Sequence, residues 1–556
     1  MKFVTRRQFM KGALAGATVG TAAGVRPTRA RAQLRASDPL DTFQHVVVLM
    51  LENRSFDNLL GFLYPPGEPP GQQFAGLAGG QYCNPIPPGV VPPVGETSVC
   101  VGQISGLNPG DYNQPFPDPG EEYPHINTQL YNVVAPPDNL PGVLPSPAPM
   151  TGFVTDYIAN YPTGLANPPT YNDYKIIMQS FAPSAIPVLT TLAREFAVFD
   201  HWFCSVPSQT WCNRAFWHAA TSGGHVINPG SVSELADWTI DNDVGTLFNA
   251  ISASPAGLDW RLYTGNPLAL EHAIHAIPLE PFDEAHFPPL EQFFTDCAAG
   301  QLQEYTFIEP TFTVPNNDYH PPSYNSDLFG PFDPGAVKLG EVLVNRVYNA
   351  IRTSASTTGN NWSNTLLIIT FDEHGGCFDH VSPPSGTPPD QLQLPGEDGF
   401  LFDRLGVRVP MIMVSAHVGR GTIVNTPFDH TSFIRTMMKK WSLTWNGQTY
   451  LTERDRVAPT FEEVFTLTGP THGLDWPVIP DPILPLGWLG VDYSKVPLSQ
   501  LQRSMLLPVA ARRPDGQREL ERIHTVGDAE SYLRSAVPDA KTPPSRRFWL
   551  RGASPS

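Results

Sequence analysis

Charge is scarce in this 556-residue chain: Asp, Glu, Lys and Arg make up 16%, where roughly 25% is usual for soluble proteins. What charge there is leans acidic, with 53 Asp and Glu against 35 Lys and Arg and a formal net charge of −18. That balance argues against nucleic acid, which wants a basic surface, and gives no electrostatic pull toward anionic lipid. No stable membrane span is expected, because the Ala/Gly-rich stretch 12–24 is too short and too rich in glycine to cross a bilayer. No C-x-x-C pair occurs, which argues against a zinc ribbon or a thioredoxin-type site. No internal repeat is found.

Proline, by contrast, is abundant at 61 residues. It concentrates with glycine in two long loops, 64–124 and 135–149, of the kind that serve as lids or binding loops in globular enzymes. The N-terminus carries Thr5-Arg-Arg-Gln-Phe-Met-Lys11, then the weakly apolar stretch, then Ala30-Arg-Ala32. In that order these parts read as a twin-arginine signal peptide over 1–32, cleaved before Gln33. The expectation is a folded protein handed to the twin-arginine translocase and delivered to the periplasm or outside. Six cysteines in an oxidising compartment permit disulfides, and Cys83 and Cys100 bracket one proline-rich loop. A bridge there would stabilise the fold by roughly 3 kcal/mol on the chain-entropy view.

Five apolar runs read as strands leading into polar turns: Val46–Leu51, Phe196–Phe203, Tyr305–Ile308, Leu366–Phe371 and Val409–Val414. Helical patterns such as Ile186–Glu195 and Ala336–Ser354 lie between them, so the fold class is α/β, with a central mostly parallel sheet flanked by helices. The unbroken run Val46–Leu51 suits a strand buried on both faces. It ends in Glu52-Asn53, where ligands of such sheets bind. A second run, Leu366–Ile369, leads to Asp372-Glu373, two acids that repel unless a cation or proton lies between them. Together the strand ends offer three carboxylates and an amide oxygen, a set for a hard cation. Taken alone, the first segment reads equally as a buried strand ending in a polar turn; for the second the alternative is an acidic surface turn, and the cation reading is preferred. Thr210 taken singly is a helix N-cap residue, and Arg214 is a fork suited to phosphate oxygens. The basic, polar segment 501–556 reads as an appended solvated extension to a catalytic domain over 40–500.

Five motifs then stand in order: Glu52-Asn-Arg-Ser-Phe-Asp57, Thr210-x-x-Asn-Arg214, Asn317-Asp-Tyr-His-Pro-Pro322, Asp372-Glu-His-Gly-Gly376 with Asp379-His380, and Asp429-His-Thr-Ser432. Together they resemble the bacterial phospholipase C and acid phosphatase family of phosphoesterases, which is similar in fold to alkaline phosphatase and the sulfatases. One departure is Cys212, where the family usually has proline before Asn-Arg. The resemblance implies that Glu52, Asn53, Asp372 and Glu373 hold a divalent metal ion (Ca, Mg, Mn or Zn), with Thr210 touching it as the nucleophile. It implies that Asn53 and Arg214 bind the phosphate, and that His320, His125 and His380 are active-site histidines, whereas His430 reads as structural.

The implied activity is hydrolysis of phosphate esters through a phosphothreonine, of phospholipase C type on phospholipid. The alternative is an acid phosphatase acting on small phosphomonoesters. Aromatic residues in the proline-rich loops (Phe74, Tyr82, Phe116 and Tyr123) are expected to form an apolar lip for lipid. A sulfatase fits poorly, because threonine cannot become formylglycine. A non-catalytic binding relative would be expected to have lost a ligand or the nucleophile, and each such position here holds a competent residue.

Overall fold

The computed structural model describes residues 38–536, apart from 69, 91–92, 134–143, 163, 166–167, 282, 326–328, 330–331, 392–393 and 471–475. The proposed signal peptide, most of the 135–149 loop and residues 537–556 lie outside the described residues.

Seven strands form one sheet: β1 His45–Leu51, β2 Ala197–Phe199, β3 Trp260–Thr264, β4 Tyr305–Glu309, β5 Thr365–Phe371, β6 Met411–Val414 and β7 Thr422–Val424. Their spatial order is β7-β2-β6-β5-β1-β4-β3. β5, β1, β4 and β3 run parallel, β6 is antiparallel to both of its neighbours, and β7 pairs parallel to β2. β1 sits between β5 and β4 with every residue buried. That position explains its unbroken Val-Val-Val-Leu-Met-Leu run, since helices cover both faces of a mostly parallel sheet.

The expected strand Phe196–Phe203 is two pieces. β2 ends at Phe199, and Trp202-Phe203 leaves the sheet to pair with Phe428-Asp429. Asp200 makes the break, because its carboxylate accepts from Ala75 N and Asn425 Nδ2 and so faces loops. The expected run Val409–Val414 begins as a strand only at Met411, after Pro410, which cannot donate to the ladder. β3 and β7, the sheet's two edges, were not anticipated. Both are short and carry polar residues such as Arg261 and Thr422, so no apolar run marks them.

Helices α1 Phe56–Leu60, α2 Tyr123–Tyr131, α3 Phe153–Ala159, α4 Pro187–Glu195, α5 Thr210–Ala219, α6 Leu270–Ile274, α7 Ala336–Thr353 and α8 Thr431–Lys440 bear on the site. The N-terminus of α4 is held by the buried Glu341 of α7, whose oxygens accept from Val188 N and Leu189 N. In the proline-rich region, Cys83–Pro85 and Ser98–Cys100 pair antiparallel with Cys83 opposite Cys100, and the two cysteines are joined. Among the described residues the other four cysteines are free and buried.

The segment expected to be a solvated extension is folded over 500–536. Helices Gln500–Ser504, Leu507–Ala510, Gly516–Leu520 and Val526–Ala536 share a buried cluster with Trp211, Ala215 and Phe216 of α5. Its basic residues ride outside while Leu501, Leu506, Leu507 and Ile523 face in, an amphipathic arrangement that composition hides. Among the described residues no helix is long and apolar enough to cross a membrane.

Candidate active site

Register brings the first two motifs together. β1 and β5 are parallel neighbours with Leu51 opposite Phe371, so Glu52-Asn53 and Asp372-Glu373 emerge side by side at the carboxyl edge. Asn53 takes a left-handed backbone (φ 56°), which asparagine tolerates better than most residues. Its N–H donates to Asp372 Oδ1 at 3.1 Å and its side-chain amide donates to Glu121. Gly375, at φ 60°, packs so closely that a Cβ there would lie 2.2 Å from the carbonyl oxygen of Asn53. Only glycine permits that approach.

α5 supplies the hydroxyl. Thr210 is its first residue and Gln209 its N-cap, so Thr210 Oγ1 sits at a helix N-terminus, where developing negative charge is favoured. The hydroxyl is buried and donates to Glu52 Oε2 at 3.1 Å. One turn on, Arg214 is fully buried. It bonds Glu52 Oε1, meets Glu271 Oε1 at 3.2 Å and lies 3.6 Å from Asp372 Oδ2. This corrects the expectation that Arg214 binds phosphate: its guanidinium is committed to carboxylates and holds Glu52 against β1. Asn213 is likewise internal, with its amide bonded to Val206, Ser208 and Gln209. Cys212 packs in the core behind the helix, away from Thr210's partners.

Like charge dominates the cleft. Burial raises Glu52 well above the usual carboxylate range; Arg214 opposes that rise and Asp372 adds to it. Glu373 and Glu121 are raised well above that range by burial and by their acidic neighbours, Asp372 for the first and Glu373 for the second. Asn53 Oδ1, Asp372 Oδ2 and Glu373 Oε1 are buried acceptors without a hydrogen-bond partner. An unpaired buried acceptor is costly, and three hard oxygens at adjoining strand ends fit a divalent cation. The fourth expected ligand, Glu52, has both oxygens engaged, one by Arg214 and one by Thr210.

The histidines lie in separate networks. His320 is buried; its Nδ1 meets Pro321 O at 2.6 Å and lies 3.8 Å from Asp118 Oδ2, while Nε2 has no partner. Burial lowers its pKa, but Asp118, Glu121 and Asp318 outweigh burial and bring it up to about 9. With Asp318 it lines a small cleft that Ser499, Leu501 and Gln502 close from the C-terminal side. His125 stands further out. It pairs with Asp156 at 2.9 Å, and Gln129 links Asp156 to His374, which neighbours Glu373. His380 belongs to another cluster, bonded to Asp57 at 2.6 Å, with Arg408 bridging Asp57 and Asp379 and the Tyr82 ring 4.3 Å away. None of these partners is a strand-end carboxylate. His430 Nε2 donates to Asp372 O at 2.7 Å and Nδ1 accepts from Trp202, a structural role that steadies the β5 end.

Glu121, Asp318 and Glu271 were not singled out from the sequence. Asp318 lies inside the 317–322 motif and Glu121 stands four residues before His125, and their acidity was the available signal; Glu271 sits on a five-residue helix that no motif marks. The expected apolar lip is not formed as such. Tyr123 is core, Phe74 packs on Phe56 and Tyr64, and Tyr82 covers His380.

The family and the relatives that the chain matches make it a hydrolase of phosphoric esters. The chain belongs to the Phosphoesterase family, whose model matches residues 43–444. It is 35% identical over 441 residues to non-specific phospholipase C6 of Arabidopsis thaliana, covering 76% of this chain and 72% of that protein. With non-specific phospholipase C4 of the same plant the identity is 30%, over 88% of this chain and 85% of the relative. Phospholipase C B of Mycobacterium tuberculosis is 26% identical, with 79% and 82% covered. A solved protein of the alkaline phosphatase superfamily from Vibrio parahaemolyticus overlaps 50% of this chain and 65% of its own at 13% identity, with a TM-score of 0.28. A likeness that slight carries no weight here.

Proposed function

We propose that the protein is a metal-dependent phospholipase C that cleaves phospholipid to diacylglycerol and a phosphorylated head group. The observation that carries this reading is Thr210 Oγ1 at the head of α5, hydrogen-bonded to Glu52 and beside the unpartnered oxygens of Asn53, Asp372 and Glu373. The relatives named as phospholipases C, matched over most of their length, support the substrate class.

A divalent ion held by Asn53, Asp372 and Glu373 would supply Lewis acidity and neutralise charge on the phosphate. Thr210 Oγ1 attacks phosphorus as its proton passes to Glu52 Oε2, the acceptor already at 3.1 Å. The bond from phosphorus to the glycerol oxygen breaks, and His320 Nε2, kept protonated by its acidic neighbours, donates to the departing alcohol. Water then attacks the phosphothreonine, which still carries the head group, gives its proton to the now neutral His320, and frees the phosphorylated head group and Thr210 as Glu52 returns the hydroxyl proton. Asn53 and the amides at the head of α5 receive the phosphate oxygens.

We further propose export by the twin-arginine route to an oxidising compartment; the bridged Cys83 and Cys100 support that location. Changing Arg6 and Arg7 to lysine should leave the protein in the cytoplasm, and unchanged export would overturn the proposal.

Acid quenching during turnover of phosphatidylcholine should trap phosphocholine on the peptide containing Thr210, because the head group stays on phosphorus when the glycerol oxygen leaves. Thr210→Ser should remain active and Thr210→Ala should not. If Thr210→Ala kept more than about a tenth of the rate, a barrier change under roughly 1.4 kcal/mol, water would be attacking directly and the covalent route would be wrong. Faster turnover of nitrophenyl phosphate than of phosphatidylcholine would instead favour the acid phosphatase reading.

A further inference from the structure

At the far end of the nucleophile helix lies a second group of donors that the reaction does not use. His218, in the last turn of α5, points Nδ1 at Glu271 Oε2, 2.9 Å away. His275, which caps α6, brings Nε2 to within 3.8 Å of the same oxygen. All three side chains are fully buried. Both ring nitrogens of His275 lack a hydrogen-bond partner. An imidazole with neither nitrogen satisfied, facing a carboxylate and a second imidazole, is an expensive thing to bury.

We propose that His218, Glu271 and His275 form a buried structural site for a zinc-class divalent ion, distinct from the strand-end cation site. Two imidazoles and one carboxylate are a donor set that suits zinc, and the softer nitrogens separate it from the all-oxygen set of Asn53, Asp372 and Glu373. The three donor atoms lie within 4.8 Å of one another. Tetrahedral ligation at about 2.1 Å places donors ~3.4 Å apart, between the 2.9 and 3.8 Å separations from Glu271 Oε2 already present.

The surroundings are already arranged for it. His218 Nε2 meets Tyr305 OH at 2.8 Å, and Trp217 Nε1 donates to the same hydroxyl. A ring held at one nitrogen in this way presents the other to a metal in a fixed orientation. Burial also keeps both rings neutral, with His275 pushed down to about 3. The other compact cluster among the described residues, Asp57, Asp379 and His380, already has Arg408 in its midst.

An ion here would anchor Glu271, through it Arg214, and so the placement of Glu52 beside Thr210. It is a positioning role at the opposite end of α5.

The test uses the full-length exported protein and two backgrounds. In Asp372→Asn/Glu373→Gln, which changes none of the three proposed ligands, about one equivalent of zinc should survive dialysis. After stripping and cobalt loading, that background should show the strong visible bands of tetrahedral cobalt. Adding His275→Gln to that background should lose both signals, whereas His275→Gln alone should keep metal at the strand ends. Zinc should raise the unfolding midpoint of the stripped Asp372→Asn/Glu373→Gln background and leave it unmoved once His275→Gln is added. No zinc and no tetrahedral cobalt bands in the Asp372→Asn/Glu373→Gln background would overturn the proposal, and that arm stands even if His275→Gln does not fold. Equal zinc in His275→Gln and wild type would overturn it too.

Discussion

At the scale of single residues, the site separates carboxylates that wait for a cation from those that hold the frame. Asp372 and Glu373 belong to the first kind. Asp372→Asn should abolish turnover and lower the metal content measured on the purified protein, with little loss of folded protein; unchanged metal would refute the assignment. Glu52 belongs to the second. Its removal strips Arg214 of its closest partner, and breaking a buried pair costs about 3–5 kcal/mol. Because Glu271 and Asp372 remain near Arg214, Glu52→Gln should fall at the lower end of that range in denaturant unfolding as well as lose activity. His320 sets the pH response. Its pKa is raised to about 9, so the proton donor is present at neutral pH and lost as pH rises through that value. The kcat/KM profile should therefore fall on its alkaline side, and His320→Gln should lack that limb while reacting roughly 10²–10⁴ times more slowly. An unchanged profile in the variant would remove His320 from the role.

At the scale of elements, α5 joins more of the molecule than its ten residues suggest. Its head carries Thr210, its middle holds Arg214 and its tail holds His218. Its outer face is covered by the C-terminal helices: Trp211 Nε1 donates to Ser504 Oγ at 2.9 Å, and Gln209 bonds Gln500. The same segment walls the cleft beside His320 through Ser499, Leu501 and Gln502. Ser504→Ala leaves the buried indole N–H of Trp211 unpaired and should cost about 1–3 kcal/mol in unfolding free energy. A loss under about 0.5 kcal/mol, the level of an ordinary surface change, would mean that the helices merely rest on α5.

For the whole molecule, the sheet is the frame, and the proline-rich 64–124 region is tied to the fold around it through bonds such as Ala75 N to Asp200 and Arg54 to Gln114 O. The Cys83–Cys100 bridge closes a hairpin that contributes Val99 to a satellite core with Ile126, Phe153 and Phe378. Cys83→Ser/Cys100→Ser should loosen that hairpin by roughly 3 kcal/mol. Limited proteolysis within 86–97 should then run faster than in wild type while the sheet stays protected. Equal cleavage rates would show that packing alone holds the loop.

Local sequence determined much of this. The run Val46–Leu51 and the run Leu366–Phe371 could be read as buried strands because a strand covered on both faces must be apolar throughout. Their acidic ends were legible for the complementary reason, that adjacent charges at such a place need a partner. Chain order alone did not show that the two ends meet; the parallel register of Leu51 with Phe371 decided that. Nor could it show the fate of Arg214, whose fork suits a phosphate and a carboxylate equally well until tertiary packing surrounds it with Glu52, Glu271 and Asp372. The edge strands and the C-terminal helices were hidden for the same reason. Their burial depends on neighbours distant in the chain, and composition records a residue's own polarity, not what the fold packs against it.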